Sequence, residues 1–330
     1  MEQHQLGRTG LRVSELCLGT MTFGREADER TSKAIVDRFL DAGGTFLDTA
    51  NVYSQGVSEE ITGRALGKRR SEVVLATKVR FGMGDGPNDV GLSRRNIRTQ
   101  VEASLRRLGT DWIDLYQVHC WDARTPLTET LSTLDALVGE GKVRYLGASN
   151  FAGWHLAKAL GLAAQHGWEP FVCLQPEYSL ITRDAERELL PLCRSEGLGV
   201  IPWSPLAGGV LTGKYTKDED FPEGTRGAET ENPITFTYRL DDRAWQVVEA
   251  VRSVAAKTGK SNSQVALNWV ANTDGVTAPI IGARNLDQLE DNLAAVGWQL
   301  DDEERKTLIW ASAFRMGYPY EFIQFADIQL

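Results

Sequence analysis

No stretch of this 330-residue chain is apolar for long enough to cross a bilayer, which takes about 18 or more consecutive apolar residues. The opening MEQHQLGRTG is polar and charged and lacks the apolar centre of a secretory signal. Cysteine is scarce and scattered, at Cys17, Cys120, Cys173 and Cys193, with no C-x-x-C pair. That pattern gives neither a disulfide frame nor a zinc ligand set, so no metal is expected, and it fits reduced thiols in the cytoplasm. Basic charge is in deficit, with 36 Lys and Arg against 45 Asp and Glu. A nucleic acid would want a basic face, so neither a nucleic-acid nor a membrane partner is expected. A single anionic small molecule held by a few local cations is not excluded. There is also no G-x-G-x-x-G phosphate fingerprint.

What is present is one repeated theme: a short apolar run, a turn, then an amphipathic helical stretch. The runs are 16–20, 46–50, 73–79, 113–119, 145–150, 172–177, 199–205 and 278–283. They are short and often β-branched, and they do not alternate strictly with polar residues, as expected of strands buried on both faces of a parallel sheet. Helical patterns lie between them. Ile97, Val101, Leu105 and Leu108 recur at three or four residues, and another pattern opens at Pro126 and stops at Gly141. Others fall near 30–42, 58–69, 152–167, 182–196, 242–259 and 285–297. Eight strand–helix units at this length predict an α/β fold, a single (β/α)8 TIM barrel spanning 1–330 as one domain. Three segments lie outside the repeat. Residues 4–15 read as an N-terminal hairpin that plugs the barrel floor. Residues 206–238 read as a loop insertion after the seventh strand. The aromatic C-terminal tail, 313–330, reads as packed.

In such a barrel, chemistry sits at the C-terminal ends of the strands. Asp48 ends the second predicted strand, with Tyr53 five residues later; Lys78 ends the third and His119 the fourth. A nearby ammonium is expected to lower a tyrosine pKa, and a carboxylate keeps that ammonium charged and fixed. A histidine can hydrogen-bond a carbonyl oxygen. Together these residues make a general acid able to protonate an alkoxide as it forms. No nucleophile with an oriented base appears, so acyl transfer is poorly supported. His119 beside Cys120 is a poor metal pair, because adjacent strand residues face opposite ways. His4, His155 and His166 are expected to be surface or helix residues without a role.

LGTMTFG (18–24), FLDTANVYSQGVSEE (46–60), ATK (76–78), IDLYQVH (113–119), GKVRYLGASN (141–150), LQPEYS (174–179), PWSPLAGGVLTGKY (202–215) and IGARNLDQLEDN (281–292) occur in this order along nearly the whole chain. In that combination the chain resembles the aldo-keto reductases, in the branch of bacterial reductases and potassium-channel β subunits. The resemblance implies reduction of an aldehyde or ketone with hydride from NADP(H), without a Rossmann fold. It implies Tyr53 as acid, assisted by Lys78, with Asp48 pairing Lys78 and His119 orienting the carbonyl. It places Ser149, Asn150 and Gln175 on the cofactor's carboxamide and Trp203 on its nicotinamide ring. Ser204, Pro205, Leu206, Gly208 and Lys214 then lie along the pyrophosphate. Gly282, Ala283, Arg284, Gln288, Asp291 and Asn292 hold the adenosine end, while Gly19, Thr20, Met21 and Asp48 touch the cofactor from the first strands.

Two of these positions have a physical rationale of their own. Arg284 precedes a predicted helix, and a helix N-terminus with a forked guanidinium suits the 2′-phosphate of NADP. Gly282 has no Cβ and lets a ligand approach the backbone. Phe23, Phe81 and Trp121 follow strands one, three and four; with Tyr53 and His119 they are expected to line an apolar substrate pocket, closed by Phe236, Phe314 or Tyr318. Two other functions fit less well. A redox-sensing channel subunit is expected to carry a long regulatory segment before the barrel. An aldolase would form a Schiff base on Lys78.

Overall fold

The structure is a computed structural model that describes residues 1–228 and 240–328. It opens with an antiparallel hairpin, β1 (Gln3–Gln5) and β2 (Arg12–Ser14). The barrel strands then alternate with helices: β3 (Cys17–Gly19), α1 (Glu29–Asp41), β4 (Phe46–Asp48), α2 (Val57–Leu66), β5 (Val74–Val79), α3 (Arg94–Leu108), β6 (Ile113–Val118) and α4 (Leu127–Gly139). The second half continues with β7 (Val143–Ser149), α5 (Gly153–His166), β8 (Phe171–Gln175), α6 (Leu189–Glu196), β9 (Gly199–Val200), α7 (Asp242–Thr258), α8 (Asn262–Ala271), β10 (Ile280–Ile281) and α9 (Leu286–Leu293). Two further helices follow, α10 (Asp302–Ala311) and α11 (Tyr320–Ile328). All eight strands from β3 to β10 are parallel, and β10 returns to pair with β3. Thr277 N donates to Val200 O (2.7 Å) and Ile280 N to Pro202 O (2.8 Å), which joins the last strand to the seventh and closes a (β/α)8 barrel.

Period-two alternation sorts the strand residues into two cores. Outward residues such as Leu18, Leu47, Leu75, Tyr116, Leu146 and Leu174 pack beneath the helices. Inward residues Cys17, Phe46, Val74, Ala76, Leu115, Cys173, Ile201 and Ala278 fill the barrel together with Leu6 and Val13 of the hairpin. The hairpin therefore closes the floor as expected. Gly7 sits so close to the barrel that a Cβ would lie 2.7 Å from Gly197 O. Above the apolar floor the inward positions turn polar, and the mouth begins there.

Several helix boundaries differ from the sequence reading. The pattern at 182–196 splits into a 3-10 turn, Asp184–Glu186, and a shorter α6. Pro191 has no N–H to give a preceding turn, so the helix starts just before it. Helix α8 was not anticipated, although Ser261 and Gln264 form the capping box that opens it. Helix α10 packs on α7 and was also missed; its Asp301–Glu304 capping box has the same form.

The aromatic tail is not packed as expected. Tyr318 is 88% exposed, Phe322 65% and Phe325 57%. The tail is tied to the rim through polar groups, Tyr320 to Glu188 and Arg187 Nη2 to Arg315 O (2.9 Å), and the rings beyond Phe314 are left largely outside. Phe314 lies beneath the guanidiniums of Arg183 and Arg187. Phe236 lies outside the described residues.

Candidate active site

Parallel register sets the first layer of the mouth. Asp48 pairs with Ala76, and Lys78 pairs with Gln117, which in turn pairs with Gly147. Alternation points Asp48, Lys78, Gln117, Ser149 and Gln175 inward. Lys78 is fully buried and Asp48 nearly so (2% exposed). The Lys78 ammonium donates to Asp48 Oδ2, to Thr49 O (2.9 Å) and to Tyr53 Oη (3.2 Å), so its three protons have three acceptors. Asp48 Oδ1 accepts from Gln117 Nε2 (2.9 Å) and Gln175 Nε2 (3.0 Å).

Tyr53 is carried by a strained turn after β4. Ser54 and Gln55 follow it in the left-handed region, at φ 48° and 54°, and Gly56 at φ 96° leads into α2. Ser54 Oγ fastens the turn to Phe23 O (2.9 Å). Asn150, Ser204 and Ala207 are left-handed too, at φ 53°, 56° and 48°, all in loops after strand ends. Such strain persists only where the surroundings enforce it, and it gathers at working sites.

The electrostatics correct one expectation. Burial raises the Tyr53 pKa above its ordinary 10.0, and Lys78 pulls it back only in part. The sequence reading expected the ammonium to win; desolvation of a phenolate outweighs it. Burial also opposes charge on Lys78, but Asp48 and Tyr53 overcome this and its pKa rises. His119 is held well below its ordinary 6.5 by burial, Lys78 and Arg80. Around Asp48 the site at neutral pH is therefore a phenol, an ammonium and a neutral imidazole. The His119 ring meets Tyr53 edge-on at 5.8 Å and Phe81 at 4.8 Å, and its Nδ1 is buried without a hydrogen-bond partner.

The expected substrate wall changes in composition. Phe23 has no exposed surface and belongs to the core outside the sheet, so it offers a ligand nothing. Its position after β3 was legible, but its direction was not. Phe81 and Trp121 remain partly exposed. Trp121 stacks on His155 at 3.9 Å, and Trp154 lies tilted against both, 3.9 Å from His155 and 5.6 Å from Trp121, so His155 is part of an aromatic ledge.

The expected cofactor residues fall into two sets. Trp203 Nε1 donates to Asn150 Oδ1 (3.2 Å), which ties that indole to the carboxamide group of residues. Ser149 Oγ donates to Gln175 O (2.8 Å) and receives Asn150 Nδ2 (3.0 Å). Ser204, Leu206 and Gly208 are partly exposed along the loop after β9, and Lys214 is exposed. Met21, Arg284 and Gln288 have accessible surface as well. Gly19, Thr20, Pro205 and Ala283 are buried. A Cβ on Gly19 would strike Ile280 Cγ2 at 2.7 Å, and the Thr20 hydroxyl lies 2.9 Å from Ser58 Oγ, so both have roles inside the protein. Asn292 Nδ2 holds Gly282 O (3.0 Å) and Asp291 receives Gln264 Nε2 (2.8 Å); these two brace the turn.

The residues at the last strand end are compatible with a dinucleotide. Gly282 has no left-handed φ, and a Cβ there would meet nothing within 4 Å. The backbone at the strand end is therefore open to a ligand, as the resemblance implies. Arg284, just before α9, and exposed Lys214 are the cations that the resemblance assigns to the cofactor's phosphates; Arg284 Nη1 holds Gly224 O (2.9 Å). Gln117 was missed by the sequence reading. It sits two residues before His119, which follows the end of β6, and period two would have placed it on the same inward face.

The chain belongs to the aldo/keto reductase family, whose model matches residues 15–309. An uncharacterized oxidoreductase, YrpG of Bacillus subtilis, is 47% identical over 92% of this chain and 93% of its own length. A probable voltage-gated potassium channel subunit beta of rice is 39% identical over 90% of this chain and 91% of its own. Norsolorinic acid reductase of Aspergillus flavus is 37% identical over 95% of this chain and 81% of its own. Membership marks the protein as an oxidoreductase. Among the described residues no helix is long and apolar enough to cross a membrane, and no cluster of metal-binding side chains occurs.

Replacing Lys78 by Met leaves Asp48 buried without a countercharge. The expected loss is about 3–5 kcal/mol in urea unfolding, with the Asp48→Asn/Lys78→Met double variant less destabilised than the single. A Lys78→Met protein as stable as the parent would contradict the pairing.

Proposed function

We propose that the protein reduces an aldehyde or ketone to the alcohol with NADPH, and that Tyr53 gives the proton. The observation that carries this reading is the Lys78 ammonium held between Asp48 and the Tyr53 hydroxyl (3.2 Å) at the mouth of the barrel. NADPH, when bound, supplies the hydride. Ser149, Asn150 and Gln175 hold its carboxamide, Trp203 faces its ring, Lys214 and the loop after β9 take the pyrophosphate, and Arg284 reads the 2′-phosphate. Neutral His119 hydrogen-bonds the carbonyl oxygen and orients it towards Tyr53. As negative charge grows on that oxygen, Tyr53 releases its proton, and Lys78 stabilises the phenolate left behind. Asp48 keeps Lys78 charged and in place.

Phe81 and Trp121 give the mouth an apolar, ring-lined side. Together with the likeness to norsolorinic acid reductase, they favour a carbonyl compound with an apolar body. The four cysteines are all free, which suits the reducing cytoplasm where we place the enzyme. The rice channel subunit's likeness supports a second reading, a cofactor-binding regulatory protein; binding of NADPH without turnover of any carbonyl would favour it.

Tyr53→Phe is expected to lower kcat by about 10²–10⁴ while NADPH still binds. Near-parental turnover would remove Tyr53 as the acid. Arg284→Ala is expected to weaken NADPH by about ten- to a hundredfold and NADH far less, measured by fluorescence titration. Equal losses for both would mean that Arg284 does not read the 2′-phosphate.

A further inference from the structure

We propose that the protein has a second ligand site, a cavity at the root of the C-terminal tail that takes a phosphate-bearing small molecule. The cavity has a volume of about 340 Å³, room for a small organic body as well as a phosphate group. Four arginines line it: Arg183 and Arg187 from the segment between β8 and α6, Arg243 from the first turn of α7, and Arg315 from the link between α10 and α11. The ring of Phe314 forms part of its wall, 5.6 Å from the Arg183 guanidinium and 5.0 Å from that of Arg187. None of these residues enters the chemistry proposed above, so the second site stands apart from that reading.

Charge does not balance around this cavity. Arg183 is neutralised by Glu186, which accepts from its Nε (2.7 Å) and Nη2 (2.8 Å), while its Nη1 holds Ile309 O (3.2 Å) and Ser312 Oγ (2.9 Å). Arg187 pairs with Asp184 (2.6 Å), the one acidic residue lining the cavity among the described residues, and its Nη2 holds Arg315 O (2.9 Å). Its Nε is buried without an acceptor, an unmet donor on a charged group. Arg243 meets only carbonyl oxygens, Ile181 O (2.9 Å) and Ser312 O (3.5 Å), and has no ion pair among the described residues. Carbonyls occupy its protons but leave its charge. The carboxylates beside it in sequence are engaged elsewhere, Asp241 as the cap on Ala244 N (2.8 Å) and Asp242 with Lys217 (2.8 Å). The Arg315 side chain is 90% exposed and meets Glu321 only at 3.6 Å, a contact worth little in water. A cluster that served only to fasten the tail would need acceptors for its protons, and in Arg183 that arrangement is complete. The charge left on Arg243 and Arg315 is more than a clamp requires. Several guanidiniums facing one space match the charge and the oxygens of a phosphate.

The site is tested by isothermal titration calorimetry with inorganic phosphate and with phenyl phosphate, at constant ionic strength because screening weakens every exposed contact. The protein carries one equivalent of NADPH, so that the expected cofactor site is filled. Saturable binding with a Kd of about 1 mM or tighter is expected for at least one probe. Arg243→Met removes a charge that nothing in the protein balances, and is expected to weaken binding by about tenfold or more. Arg243 also holds two carbonyls, so a second variant guards against a folding failure. Ala313 is exposed on the cavity wall, and Ala313→Glu places a carboxylate there without removing any hydrogen bond of the arginines. It is expected to weaken binding by a similar factor through like-charge repulsion. A monoester bound more tightly than inorganic phosphate identifies an organic phosphate as the occupant; the reverse order identifies the free ion. No saturable binding of either probe up to about 20 mM would overturn the site, as would parental affinity in a folded Arg243→Met or in Ala313→Glu.

Discussion

The Asp48–Lys78 ion pair is the constraint around which the mouth is built. Two charges sit where water does not reach, and removing an ion from water costs several kcal/mol that a single attraction does not reliably repay. The surroundings complete the balance. All three Lys78 protons find acceptors, and both Asp48 oxygens are filled, one by the ammonium and one by two amides. Five strands or the loops after them supply these groups: Asp48, Thr49 and Tyr53 from β4 and its turn, Lys78 from β5, Gln117 from β6, and Gln175 from β8 backed by Ser149 of β7. Parallel strands in register deliver them to one level, and the apolar floor below, sealed by Leu6 and Val13, keeps the pair dry from underneath.

The loops above the pair hold geometry of a different kind. Left-handed Ser54, Gln55, Asn150, Ser204 and Ala207 are non-glycine residues in conformations that cost about 1–3 kcal/mol each where they are strained. Each lies next to a group that the proposed chemistry uses: Ser54 and Gln55 beside Tyr53, Asn150 beside Ser149, Ser204 and Ala207 in the loop after Trp203. The closed barrel supports them, since its strand ends move little relative to one another when every interior position is packed.

The barrel was readable because strands buried on both faces are short continuous apolar runs, and all eight runs became strands. The Asp48–Lys78–Tyr53 grouping was readable because strand ends converge in this fold. What could not be read depended on directions and burial. Phe23 follows a strand end in sequence, yet it turns away from the mouth into the outer core. The Tyr53 pKa was expected to fall because charge partners are visible in a sequence and desolvation is not. Helix α6 was drawn too long because the spacing runs on through Ala185, which lies in a separate 3-10 turn pinned by the Arg183–Glu186 ion pair. The tail's rings looked like core material, but nothing in their spacing reveals that only Phe314 meets the barrel, under two guanidiniums, while polar groups fasten the rest. Gln117 was within reach of the sequence, since alternation from His119 puts it on the inner face.

The central claim is that Tyr53 stays a protonated acid through the neutral range because burial outweighs Lys78, while His119 stays neutral. A group whose pKa is raised keeps its proton until pH passes the raised value, and a depressed histidine takes one only below its ordinary value. The most direct test is the pH dependence of kcat/KM for carbonyl reduction between pH 5 and pH 11, which reports the free enzyme. The account predicts a flat profile from about pH 6.5 to about pH 10, the ordinary values of the two groups, with activity falling only above that range. An inflection between pH 7 and pH 9 that disappears in Tyr53→Phe would mean that the ammonium, not burial, controls the phenol, and would contradict it.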